Sequence, residues 1–448
     1  MAERPPNDAE SMRPTAADLA IARLGEARHP SPIPARVERR VSDDDRVLLD
    51  PTIGGLRRCL DSGEEPPSLE AAGPRDRVFF DPEDLSCGIL TCGGLCPGLN
   101  NVVRAIVLEL HYAYGVRRIL GFRYGYAGLA HGSIHQTIPL TPNLVENLHE
   151  RGGTMLGSSR GPQEVGGMVD TLVERGLGVL FVLGGDGGLR GAAAIADEID
   201  RRGLPISVVG IPKTIDNDLQ WTTRSFGFAT AVEAARDVIS TAHVEARAAW
   251  NGVGLVKLMG RHSGFIAAHA ALASSDVNFC LVPEVPFALD GRKGFLAELE
   301  RRLAAKRHAV VVVAEGAGQD LVAAAGPEGH DASGNLKLKD IGVFLRERIS
   351  EHFAEQGTEA PIRYFDPSYT IRSQPAGAID AEYCLALGHH AVHAALSGRT
   401  RMIVGSWNTR FVHVPIALAI GRRRQLDPVG EDWQRVLEST GQSPSMID

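Results

Sequence analysis

The chain has 448 residues, 44% hydrophobic and 23% charged, with a formal net charge of −8. That length supports two ordinary domains with full cores. The acidic balance argues against generic nucleic-acid binding but leaves room for a local basic pocket. The 50 glycines and the low aromatic content suit a large α/β protein with many tight loops.

Residues 1–84 are rich in Pro, Arg, Asp and Glu and read as an N-terminal extension that packs on a neighbour or stays mobile. Their one helical pattern is short, around Ala16 to Ala27. The polar, acidic N-terminus reads as no signal peptide. No apolar run has transmembrane length, so no membrane partner is expected. Cys92 and Cys96 flank a glycine loop without a second Cys/His pair, and all six cysteines read as reduced thiols of a cytoplasmic protein.

From Leu85 onward strand and helix patterns alternate. Leu85 to Cys92 reads as a strand, Gly93 to Gly98 as a loop, and Leu99 to Tyr112 as a helix with Val102, Val103, Ile106, Val107 and Leu110 at helical spacing. Further strands are expected at Arg117 to Phe122, Gly178 to Leu183, Ile206 to Ile211, Val253 to Leu258, Phe279 to Pro283 and His308 to Ala314. Helices are expected at Glu164 to Arg175, Leu189 to Arg202 and Ala229 to Ala246, and a surface loop at Gln319 to Asn335. This alternation implies parallel sheets with right-handed crossovers, in more units than one sheet holds.

The chemistry-bearing segments lie beyond the carboxyl ends of these strands, where an open α/β sheet places its ligands. Gly93-Gly94-Leu95-Cys96-Pro97-Gly98 offers backbone N–H groups and a helix N-terminus to phosphate, although such a loop is often only a tight turn. Gly185-Asp186-Gly187-Gly188 lets a phosphate chain approach the backbone. Asp186 there is either a Mg²⁺ partner or a helix cap.

Pro212-Lys213-Thr214-Ile215-Asp216-Asn217-Asp218 is more specific. Asp216 and Asp218 share a face in an extended segment, so one can take a substrate proton while the other organises a metal. Two carboxylates this close need compensating cations, and Lys213 is one within reach. Met259-Gly260-Arg261 can bind a phosphoryl group. Glu315 can accept from sugar hydroxyls. Arg363, Tyr369 and Arg372 suit a phosphate monoester. Alone, the acid pair reads poorly as an ordinary polar turn, Arg261 reads better as a surface ion-pair residue, Glu315 equally well as a cap or solvated residue, and Arg363, Tyr369 and Arg372 as surface residues.

Together, in this order and spacing, the segments resemble the 6-phosphofructokinase family over roughly Leu85 to Arg410. The likeness is greatest to ATP-using members with N-terminal extensions, beside the pyrophosphate-using branch. The resemblance implies two Rossmann-like three-layer domains with parallel-rich sheets and an active site in the cleft between them. The expected division is an extension of 1–84, a nucleotide-binding domain of 85–226 with 372–420, and a sugar-phosphate-binding domain of 227–371 with 421–448.

The implied reaction is Mg²⁺-dependent transfer of the ATP γ-phosphoryl to the 1-hydroxyl of fructose 6-phosphate in glycolysis, by a homodimer or homotetramer. By motif, Asp216 is the base, Asp186 the Mg²⁺ ligand and Asp218 its support, with Lys213 and Arg261 at the reacting centre. Gly93, Arg160, Gly161, Gly185, Asp186, Gly187 and Gly188 match nucleotide positions, with Tyr126 near adenine. Thr214, Ile215, Met259, Gly260, Arg261, Glu315, Tyr369 and Arg372 match sugar-phosphate positions, and Arg363 matches an arginine that enters a neighbouring subunit's site.

Gly187 favours ATP over pyrophosphate, because the aspartate typical of pyrophosphate users would crowd the α-phosphate. Two positions depart from the family. Gly252 replaces an arginine of simple bacterial members, and Gly188 stands where Ser or Thr is common. The alternatives are a pyrophosphate-dependent phosphotransferase and a non-catalytic sugar-phosphate-sensing subunit. A dinucleotide-dependent oxidoreductase fits the fold class but lacks the GxGxxG pattern.

Overall fold

Strands Ser86–Thr91, Val179–Gly184 and Ser207–Pro212 are buried along their whole length. Continuous apolar runs of this kind belong at the centre of a sheet covered on both faces. The protein is described here from a computed structural model that covers residues 14–34, 40–323, 329 and 337–448. These three strands lie side by side in a nine-stranded sheet, in the spatial order Arg46–Leu48, Ser68–Ala71, Arg410–Pro415, Met402–Trp407, Ser207–Pro212, Val179–Gly184, Ser86–Thr91, Arg118–Phe122 and Thr137–Pro139. The strands from Met402–Trp407 to Arg118–Phe122 run parallel, and the outer ones pair antiparallel.

A second sheet holds four parallel strands, in the order Phe279–Leu281, His308–Ala314, Gly252–Leu258 and Ile362–Phe365. Helix Phe228–Ala248 packs on strand Gly252–Leu258, and Gly254 admits it closely: an added Cβ there would lie 2.6 Å from the Ala242 carbonyl oxygen. One apolar core runs through both sheets, from Val179 and Val209 in the first to Val256 and Val312 in the second. The expected parallel α/β architecture is therefore present, as a mixed, parallel-rich sheet with a smaller parallel one.

The N-terminal expectations need correction. Residues Ala16 to Ala27 do not form a helix. Thr15 and Asp18 close a turn, with the Thr15 backbone N–H donating to the Asp18 carboxylate at 2.8 Å, and Ala22–Arg23 then pairs with Arg399–Thr400. A helix this short has little stability of its own, so strand pairing decides the outcome. Nor does the extension wait for a neighbouring subunit. Arg46–Leu48 and Ser68–Ala71 lengthen the nine-stranded sheet of the same chain.

The tie is ionic as well as backbone-mediated. Buried Glu70 accepts from Arg75 at 3.0 Å, Arg23 at 3.1 Å and His413 Nδ1 at 2.9 Å, and also from Arg399. The loop expected at Gln319 to Asn335 begins as a short helix, Gln319–Ala323, and most of its remainder lies outside the described residues. Among the described residues no helix is long and apolar enough to cross a membrane.

Candidate active site

Pro212 ends its strand, and the chain then turns across the mouth of the sheet. Asn217 takes a left-handed conformation (φ 57°), and its Oδ1 accepts from the Ser225 backbone N–H at 2.8 Å, which fixes the turn. Asp218 is buried. Its Oδ1 accepts from Thr214 Oγ1 at 2.6 Å, and its Oδ2 accepts from Arg423 Nη1 at 2.9 Å.

Asp216 is held differently. Its backbone carbonyl accepts from Ser263 Oγ at 3.3 Å, and its Oδ1 is buried without a hydrogen-bond partner. Burial first, then the charges of Asp218 and Glu315, push its carboxyl up to about 8; Lys213 and Arg423 pull the other way. A buried acceptor left without a donor is costly, so its retention points to a ligand group that supplies the missing hydrogen bond.

Lys213 is buried, and its ammonium donates to the Gly94 carbonyl at 2.9 Å. Burial lowers its pKa, against the opposing pull of Cys96, Cys92, Asp216 and Asp218. This lysine joins the two glycine loops. Gly93 sits next to it in a left-handed conformation (φ 82°) that favours glycine. On the other side of the lysine, Gly185 caps helix Asp186–Arg201.

The helix starts three residues earlier than its hydrophobic pattern suggests, which puts Asp186 in its first turn, beside N–H groups that face the cleft. Gly187 meets nothing within 4 Å where a Cβ would be. A Cβ on Gly188 would lie 3.1 Å from the Cys92 Cβ, a tight contact for a Ser or Thr there. Tyr126 is buried beneath this loop rather than open in the cleft, and its hydroxyl donates to the Gly188 carbonyl at 2.5 Å. Arg160 is exposed, with its guanidinium 3.9 Å from where a Gly94 Cβ would be, and Gly161 follows it at φ 95°.

The second sheet supplies the opposite wall. Gly260 (φ 131°) makes a turn that a side chain would block, because a Cβ would lie 2.5 Å from the Ser263 carbonyl. Its own carbonyl accepts from the Gly316 N–H at 3.1 Å, so the loops carrying Arg261 and Glu315 are laced together. Burial raises the Glu315 carboxyl, while Arg261, Lys257 and Arg372 hold it down in part. Arg372 stacks over Tyr369, 4.5 Å from the ring centroid, and Tyr369 is 75% exposed. Arg363 lies further out, on the second residue of its strand, 3.5 Å from Glu245. The Gly252 departure also has a local cause: an added Cβ would lie 2.2 Å from the Ala246 carbonyl.

The structure thus brings Lys213, Asp216, Asp218, Asp186, Arg261, Glu315 and Arg372 near one another, while Arg363 pairs with Glu245 instead. Sequence reasoning passed over Arg423, whose guanidinium also lies 3.7 Å from Asp186. It also passed over Arg190, which pairs with Asp186 at 3.2 Å. The available signal was the run Arg422-Arg423-Arg424 in an acidic chain.

Among the described residues no cluster of three or more acidic, His or Cys side chains could hold a metal ion alone. One or two carboxylates beside phosphate oxygens are the usual Mg²⁺ arrangement in nucleotide enzymes, and Asp186 with Asp218 provides them. The residues fit the ion.

The phosphofructokinase family profile matches residues 86–395. The ATP-dependent 6-phosphofructokinase of Amycolatopsis methanolica is 53% identical over 436 residues, 95% of each chain. That of Borreliella burgdorferi is 50% identical over 84% of this chain and 86% of its own, and that of Trypanosoma cruzi 45% identical over 95% and 88%. Among solved structures, a pyrophosphate-dependent phosphofructokinase from Marinobacter aquaeolei superposes with a TM-score of 0.65 at 21% identity, covering 80% of this chain and 93% of that one. Pichia pastoris phosphofructokinase in the T-state gives 0.60 at 22% identity, over 81% and 38%. At these identities the structures speak for the fold alone.

Proposed function

The chain belongs to the phosphofructokinase family, and we propose that its cleft carries out the ATP-dependent phosphorylation of fructose 6-phosphate at the 1-hydroxyl. The observation that carries this reading is Asp216, a carboxylate with one oxygen buried and unpartnered. It stands between the glycine loops of one sheet and the Arg261–Glu315 wall of the other.

Asp216 takes the proton of the attacking hydroxyl. A base whose pKa lies near neutrality accepts a proton well, and the nearby cations hold a usable fraction of it ionised. Gly185 to Gly188 and Gly93 line the phosphate chain, with Arg160 and Gly161 beside it, and Tyr126 supports that loop from beneath. Lys213 brings positive charge to the transferring group. Asp186 and Asp218 are the residues that would hold Mg²⁺, which would supply neutralisation of the charge developing on the transferring group. Arg261, Arg372 and Tyr369 hold the sugar phosphate, Glu315 its hydroxyls, and Thr214, Ile215, Met259 and Gly260 the floor. Arg363 at the margin suits a site completed by a second subunit in a homo-oligomer.

We divide the chain into 85–226 with 372–420 for nucleotide and 227–371 with 421–448 for sugar phosphate; the separation of the nine-stranded from the four-stranded sheet supports this reading. A cytoplasmic, glycolytic setting accompanies this chemistry.

Donor choice rests on Gly187. Open space in front of its Cα admits an α-phosphate, whereas a side-chain carboxylate there would enter that space and repel it. The test is steady-state turnover of fructose 6-phosphate with Mg²⁺, with ATP and pyrophosphate supplied separately. Turnover with ATP alone is expected, and Gly187→Asp should lower kcat/KM for ATP at least about tenfold. Turnover with pyrophosphate alone would overturn the donor assignment, and silence with both would leave a non-catalytic sensor.

A further inference from the structure

Arg423 stands out because its main chain is fixed while its side chain makes a choice. Leu219 and Arg423 form an antiparallel bridge. The Arg424 N–H donates to the Asp218 carbonyl at 2.8 Å, and Gln220 Nε2 donates to the Arg423 carbonyl at 3.2 Å. Just beyond, the Leu426 N–H donates to Glu284, which also accepts from the Gly264 N–H, and Gln425 reaches the His262 carbonyl at 3.1 Å. This strap therefore ties the Asp216–Asp218 turn to the Arg261 loop. The Arg423 side chain is 35% exposed, so it reaches solvent while its main chain is held. It points inward, with Nη1 2.9 Å from Asp218 and Nη2 3.7 Å from Asp186.

Those two carboxylates are the ones proposed for the metal, so the guanidinium and the divalent cation compete for one place. We propose that Arg423 is a positioning residue that holds Asp186 and Asp218 together in the nucleotide-free cleft and yields to the divalent cation only when nucleotide arrives with it. This rests on the functional reading above, and the physical basis is charge balance. A divalent cation entering alone would leave the guanidinium without a carboxylate and next to two positive charges. A cation entering with a triphosphate brings several negative oxygens, so the displaced guanidinium gains new acceptors as it loses the old ones. The acids are thereby kept from collecting free divalent cation and stay preorganised for the nucleotide-bound one.

The test is direct titration of the full-length protein with Mn²⁺, read by electron paramagnetic resonance, without nucleotide. The wild type is expected to bind weakly, Arg423→Met about tenfold more tightly, and Arg423→Lys close to the wild type because a cation is restored. A merely structural arginine would not tighten metal binding when removed. Equal or weaker Mn²⁺ binding by Arg423→Met overturns the proposal.

A second reading uses the wild type alone, so it survives if the variant fails to fold. Dicarbonyl labelling of Arg423, mapped by mass spectrometry, should be unaltered by Mg²⁺ and altered by Mg²⁺ with a non-hydrolysable ATP analogue. Alteration by Mg²⁺ alone overturns the proposal. ATP turnover by the wild type is scored separately, so a failed displacement in an active enzyme removes only the role given to Arg423.

Discussion

Asp216 pairs a catalytic demand with a stability penalty. Its carboxyl is pushed up to about 8 in the folded protein, against 3.8 ordinarily, so the native state binds this proton more tightly than the unfolded chain does. Between roughly pH 4 and pH 8 the Asp216 contribution to stability must therefore fall as pH rises, because ionisation favours unfolding. Asp216→Asn removes that dependence. Without ligands, its melting temperature should rise relative to wild type as pH is raised from about 5 to 8, while turnover falls by about 10²–10⁴ with sugar-phosphate binding retained. A melting-temperature difference that stays constant with pH would contradict the assignment.

The acid pair was legible in the sequence because two carboxylates two residues apart at a strand end have few other uses. Arg423 was legible only as part of a basic run. Its role depends on a contact with a residue 205 positions away, and no local pattern encodes that contact.

Among elements, helix Asp186–Arg201 decides where the nucleotide loop sits. Gly191 faces Tyr126 so closely that an added Cβ would lie 2.5 Å from the ring, while the Tyr126 hydroxyl holds the Gly188 carbonyl. Tyr126 therefore sets the height of the helix's first turn. Gly191→Ala must displace either the ring or the helix. It should destabilise the protein by about 1–3 kcal/mol and raise KM for ATP more than KM for fructose 6-phosphate, as initial-rate measurements would show. Equal changes in both would place the effect elsewhere.

The central strands could be read because a run such as Val179 to Leu183, buried on both faces, is apolar throughout. The strand Ser68–Ala71 could not. It is short, and its Glu70 is buried only because Arg75, Arg399 and His413 surround it. The helix start at Asp186 was hidden for a related reason: its glycines carry no helical signal, and the cap is backbone alone.

For the whole molecule, the join between the N-terminal segment, helix Ala378–Leu396 and strand Arg410–Pro415 holds the buried imidazoles of His393 and His413 and the half-buried one of His390. His413 is lowered to about 4, His390 to about 3, and His393 well below the ordinary 6.5, burial being the first cause in each. A histidine lowered on folding binds fewer protons in the native state, so stability rises with pH through the window between the two values and is lost as pH falls from about 6.5.

His390 isolates the effect. Its ring lies 4.6 Å from Phe411, its Nδ1 is buried without a partner, and its charged neighbours are other imidazoles, His413 and His389. His390→Phe keeps a ring in that space and removes the proton. Near pH 5 its unfolding free energy should depend on pH less steeply than that of the wild type, by up to about 1.4 kcal/mol per pH unit. Urea unfolding at pH 7, 6 and 5 would measure both slopes. Coincident slopes would mean that His390 finds a proton-binding site in the folded protein, and that the acid sensitivity of this join lies with His413 and His393 instead.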